Sequence, residues 1–199
     1  HSSLPQQGVD TITIAASIIT ALNTIVAKNI DPMDNSTLNI GVINGGVAPN
    51  IIADKTELIC MTRNMTSDAR DTMLEKIKTI STGIATAMGG ECEVNVRVGY
   101  SSVYNDEFLS EFVTKTILQK EKEIFEDIPN VPANYLITKD TAVLGAEDFG
   151  FYSQKAPSCL LWMGVGKSAP LHNPEFTVNE TYIKVCTRTM ALLTAEYLK

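Results

Sequence analysis

The order of hydrophobic periods in the first hundred residues constrains the fold more than any other feature of this sequence. From Val9 to about Lys28, Ile12, Ala15, Ala16, Ile19, Leu22, Ile25 and Val26 recur at spacings of three and four. This predicts an amphipathic helix entered at Gly8 or Asp10, with Ile14 and Ile18 widening its apolar face. Asp31 and Pro32 end it. Thr37 to Asn44 then switches to period two, with Leu38, Ile40 and Val42 on one face, and Thr56 to Met65 reads as a second strand. Asp68 to Met88 is a second amphipathic helix closed by Gly89 and Gly90. Glu91 to Val98 follows as a strand with Cys92, Val94, Val96 and Val98 on one face. Helix, strand, strand, helix, strand is a ferredoxin-like split βαβ pattern lacking only its first strand.

Beyond Tyr100 the pattern changes. Asn105 to about Glu123 predicts a helix capped by Asn105 or Asp106, Glu147 to Gln154 a short helix, and Asn179 to Lys199 a final helix. Between the last two, Ser158 to Val165 reads as a nearly all-apolar buried strand, of the kind found inside α/β sheets. One such strand cannot make a sheet. The expected organisation is therefore an α+β domain over residues 1–102, followed by the closing part of an α/β domain over residues 103–199.

With 23 acidic residues against 16 basic, the 199-residue chain carries a net charge of −7, which disfavours nucleic acid as a partner because phosphate affinity rests on clustered Lys and Arg. No apolar run approaches the roughly 18 residues of a membrane span, so no membrane role is expected. The start at His1 shows neither the basic nor the apolar part of a signal peptide and reads as a cut or processed product. Cys60, Cys92, Cys159 and Cys186 lack CxxC spacing, which argues against a cysteine-rich zinc site and suits a reducing, cytoplasmic compartment.

Each candidate functional motif has a plain structural reading beside its chemical one. His1, ahead of Pro5 and the helix entry, reads as an exposed spectator or as a reactive group. Gly45 to Asp54 reads as a long hairpin loop, or as a ligand loop in which paired glycines admit close backbone approach and Asn50 offers donor and acceptor. Arg63 suits a surface ion pair or a fork for a carboxylate. Glu147 and Asp148 suit simple capping at a helix start. His172, in Leu171 to Phe176 after the apolar strand, is a solvated loop histidine or a metal ligand.

Taken in order, HSSLPQQGVD, GGVAPNIIAD, the strand ending in MTRNM, GAEDFGFY and LHNPEF resemble the metal-dependent peptidases and amidohydrolases of the M20 family. The resemblance spans the whole chain and is nearest to aminoacylase-like, hippurate-hydrolase-like and auxin-conjugate-hydrolase-like enzymes. It implies a catalytic α/β domain with two divalent metals, zinc or manganese, and an inserted ferredoxin-like lid that forms a homodimer interface. By resemblance His172 is a metal ligand, Asn50 and Arg63 bind the substrate's backbone groups and carboxylate, and His1 reaches the partner subunit's active site to stabilise the oxyanion. Glu147 and Asp148 match an acidic motif that supports the metal region. The implied substrate is an N-acyl amino acid or small peptide with a free carboxylate.

The departures matter as much. Ala53 stands where the family commonly has proline, and the family's remaining metal ligands and its general-base Glu belong to an upstream half that these residues do not contain. The chain alone is therefore expected to be inactive. The competing expectation, from another class, is a non-catalytic dimerisation or ligand-binding module.

Overall fold

A computed structural model describes residues 1–138 and 142–199. They fall into two compact units, one of residues 1–102 with 144–146, the other of the described residues in 103–143 and 147–199.

In the first unit, Asp10 starts helix α1 (Thr11–Leu22), its carboxylate accepting from the Ile12 and Thr13 amides, which satisfies two donors that the first turn leaves orphaned. The expected single helix breaks at Asn23 and Thr24 into α1 and α2 (Ile25–Asn29). Its buried stripe is Ile14, Ile18 and Leu22, spaced by four, while Ile12 stays exposed; the residues expected to widen the face are its centre. Strands β1 (Ser36–Gly45) and β2 (Thr56–Asn64) form an antiparallel pair. Ile40 faces Cys60 and Val42 faces Ile59, so Gly41 is an extra residue without a partner. Such a bulge reverses side-chain parity. Leu38 and Ile40 therefore pack on the core, whereas Val42, expected on the same face, is exposed.

Helix α3 (Ser67–Ala87) is capped by Thr66, whose hydroxyl accepts from the Ala69 amide, and ends at Gly89 with φ +81°. The core joins Leu22, Ile25 and Met73, all essentially inaccessible, to Leu38, Ile40 and Leu58 of the sheet. The expected strand Glu91–Val98 forms no ladder, although Cys92 packs against this core. A strand exists only by pairing, and none of the described residues pairs with it.

The second unit contains α4 (Glu107–Gln119), capped by Asp106, then α5 (Glu121–Ile124), α6 (Gly150–Ser153) and α7 (Thr181–Tyr197). Ile117, Ile124 and Val185 form its core. Asp127 ties α7 to the turn after α5, accepting from Arg188 Nη1 at 2.6 Å and Lys184 Nζ at 3.0 Å. The expected buried strand Ser158–Val165 is neither strand nor buried: Trp162 is 65% exposed. The Asn105 side chain takes the place of a neighbouring strand at one residue only, accepting from Leu160 N at 2.8 Å and donating to Leu160 O at 3.0 Å.

Met73→Ala should cost about 2–5 kcal/mol, because a fully enclosed thioether leaves a cavity, as a denaturant titration of the first unit would measure. The hydrogen bonds from Arg188 and Lys184 hold the Asp127 carboxyl down to about 2. A carboxyl lowered on folding stabilises above its unfolded pKa of about 3.9 and loses that contribution as pH falls through its folded value. The stability difference between the natural chain and Asp127→Asn should therefore be constant above about pH 5 and vanish between about pH 4 and pH 2. Paired melting curves across that range would test this.

Candidate functional site

The candidate residues divide between the two units. In the first, His1 is exposed, and its Nδ1 lies 2.7 Å from Ser3 Oγ and 3.2 Å from the Ser3 amide. The next amide, Ser2 N, donates to Asn50 O at 3.0 Å, which ties the His1 turn to the Asn50 loop. That loop is shaped by Gly46, at φ +77°, where a Cβ would also meet Ile12 Cδ1 at 3.2 Å. Glycine is the residue that takes this backbone conformation without steric cost. Asn50 is exposed, and its carbonyl is already engaged by Ser2 N. The loop borders an open concavity of about 630 Å³ whose lining includes Gly46, Val47, Ile51, Lys55 and Glu57 but not His1, Asn50 or Arg63.

Arg63 sits one residue before the end of β2 and is half-buried. Its Nη1 donates to Leu144 O at 2.9 Å. This contact has no signature in the sequence, because a main-chain acceptor 81 positions away carries no residue code. It steadies one arm of the guanidinium. A guanidinium carries five N–H donors, so one such bond does not exhaust its fork.

In the second unit, Glu147 and Asp148 precede a helix shorter than the expected Glu147–Gln154. Glu147 Oε1 accepts from the Phe149 amide at 3.2 Å, and Asp148 O from the Phe151 amide at 3.0 Å. The two acids thus shape the turn into α6. Glu147 is half-buried and Asp148 exposed. His172 is exposed in a turn closed by Asn173 N donating to Pro170 O at 3.1 Å, with φ +70°. A side chain rarely adopts this region, and histidines that do so are worth a functional question.

No group of three or more His, Cys, Asp or Glu among the described residues is placed to hold a metal ion. The four cysteines are free thiols, and no helix among the described residues is long and apolar enough to cross a membrane.

The peptidase dimerisation domain family of M20 enzymes matches residues 1–89. An N-acetyldiaminopimelate deacetylase of Leuconostoc citreum is 34% identical over 184 residues, covering 92% of this chain and 44% of that protein. One of Brevibacillus brevis is 29% identical, covering 96% and 48%. The chain spans less than half the length of these curated relatives. A crystal structure from methicillin-resistant Staphylococcus aureus, provisionally named an aminohydrolase, superimposes with a TM-score of 0.82 at 26% identity, covering 98% of this chain and 47% of that one. A Bacillus subtilis protein described as a dinuclear metal-binding peptidase of this kind shares the fold, with a TM-score of 0.78 at 24% identity, covering 96% and 47%.

The left-handed backbone at His172 gives a direct test. His172→Gly should leave the melting temperature unchanged or slightly raised, whereas His172→Val should cost about 1–2 kcal/mol, because a β-branched residue pays the full penalty of that region.

Proposed function

The chain belongs to the M20 family of peptidases, and on that premise we propose that it is the carboxy-terminal portion of a metal-dependent amidohydrolase acting on N-acyl amino acids or small peptides with a free carboxylate. The observation that carries this reading is the 34% identity to a deacetylase along 184 residues, which extends well past the dimerisation domain into the segment of His172.

Arg63 is the residue we assign to the substrate carboxylate, since its fork matches a carboxylate in two parallel hydrogen bonds and its Leu144 contact limits the motion it would lose on binding. Asn50, in the loop tied to His1 and at the opposite end of β2 from Arg63, hydrogen-bonds the backbone groups of the substrate that His1 serves. His1 serves the partner subunit, donating to the oxyanion that develops as the amide carbonyl becomes tetrahedral. The homodimer forms through residues 1–102. The longer protein holds two divalent ions, zinc or manganese, with His172 as one ligand and Glu147 and Asp148 behind it, and works in the cytoplasm. The described residues of this chain do not by themselves fit a two-metal centre, so the steps assigned to them are binding and charge stabilisation.

These roles separate in kinetics. In the longer protein, assayed on an N-acetyl amino acid, Arg63→Ala should raise KM about ten- to hundredfold, as expected for losing a charged hydrogen-bonding partner. Arg63→Lys should recover part of that loss. His1→Ala should instead lower kcat about hundredfold or more with KM little changed. If both variants turned over at the natural rate and affinity, the assignment would fall and the dimerisation-module reading, which the match over residues 1–89 also favours, would replace it.

A further inference from the structure

The turn that carries His1 folds back on its own imidazole. Leu4 N donates to His1 O at 2.9 Å and closes the turn His1–Leu4, while Ser2 N donates to Asn50 O at 3.0 Å and fixes that turn against the neighbouring loop. The amide between them, Ser3 N, donates to His1 Nδ1 at 3.2 Å, and Ser3 Oγ lies 2.7 Å from the same nitrogen. Among the described residues nothing else hydrogen-bonds the ring, and Nε2 has no partner.

A hydroxyl can donate or accept, and either nitrogen of a neutral imidazole can carry the proton. A backbone amide can only donate. The Ser3 amide therefore requires a lone pair on Nδ1, and this settles the role of the hydroxyl, which must donate to the same nitrogen. Which ring nitrogen holds the proton is set by the hydrogen bond that the other makes, so the proton of the neutral ring sits on Nε2. An imidazolium has no lone pair at Nδ1 and could accept neither bond.

We infer that Ser3 is a positioning residue for His1, its amide and hydroxyl together holding the imidazole as the neutral tautomer whose N–H is at Nε2. The inference rests on the reading in which His1 donates to the oxyanion, and it names the species that does so. Neutral imidazole can polarise a carbonyl oxygen through its N–H. Nε2 lies across the ring from Nδ1, so the atom left without a partner is the one that carries the donor. With its tautomer chosen in advance, the ring meets the developing charge without first moving a proton or turning over, as a preorganised donor should. Ser3 itself need not touch the substrate.

Two measurements test this. The 199-residue chain has only His1 and His172, so nitrogen NMR can read which ring nitrogen of His1 is protonated, with His172→Gln assigning the signals. The spectrum is taken at about pH 9, above the ordinary titration range of imidazoles and amino termini. The Nε2–H form is expected in a larger share than in a short peptide of residues 1–8, and Ser3→Ala should move it part of the way back. A proton on Nδ1, or the peptide's mixture in the natural chain, would overturn the inference. In the longer protein, assayed on an N-acetyl amino acid, Ser3→Ala should lower kcat about three- to tenfold with KM unchanged, the worth of one hydrogen bond. Ser3→Thr should restore it, and Ser3→Ala should have no further effect once His1 is replaced by alanine, because a residue acting only through His1 loses its effect with it. An unchanged kcat in Ser3→Ala, or an equal loss with and without His1, would overturn the inference and leave the proposed function standing. If His1→Ala itself kept the natural kcat, the proposed role of His1 would fall and the positioning role with it, so the two failures are distinct.

Discussion

The antiparallel pairing of Ser36–Gly45 with Thr56–Asn64 is the interaction on which the first unit depends. It supplies the only regular sheet among the described residues, and α1, α2 and α3 bury Ile14, Leu22, Ile25 and Met73 against its inner face. The hairpin connection carries Asn50, and Arg63 rides near the end of the second strand. A sheet this small gives up little area on its own. Its stability rests on the helices that cover it, and Asn50 and Arg63 sit at its two ends rather than at its centre.

Main-chain pairing also explains what the chain leaves exposed. Residues 91–98 and 158–165 have the alternating or continuous apolar character of strands, yet neither finds a ladder among the described residues. Val96, Val98, Trp162 and Met163 are consequently exposed. Apolar surface of this kind marks where other polypeptide packs. The coverage of the relatives points the same way, since less than half of their length corresponds to these residues.

Features governed by near neighbours in sequence were legible from the residues. Asp10 and Asp106 cap helices because a short polar side chain reaches amides two or three positions on, and Gly89 closes α3 by its positive φ. Features set by distant partners were not. The bulge at Gly41, which turns Val42 outward, depends on the register with Ile59 and Cys60. The two apolar segments have the sequence character of strands because period and composition report what a residue prefers to bury, not whether a partner edge exists. Among the candidate residues, His172, Asn50 and Arg63 stand out by residue type and by their order along the chain, whereas the Leu144 carbonyl bonded to Arg63 and the left-handed backbone of His172 carry no residue signature.

We propose that these residues supply groups for substrate recognition, while the described residues contain no complete metal centre. Metal content and turnover of the purified 199-residue chain test it most directly, after equilibration with zinc or manganese and removal of loosely bound ions. Fewer than two retained ions per chain and no hydrolysis of N-acetyl amino acids are expected. Two tightly retained ions per chain, together with turnover that disappears on chelation, would contradict it.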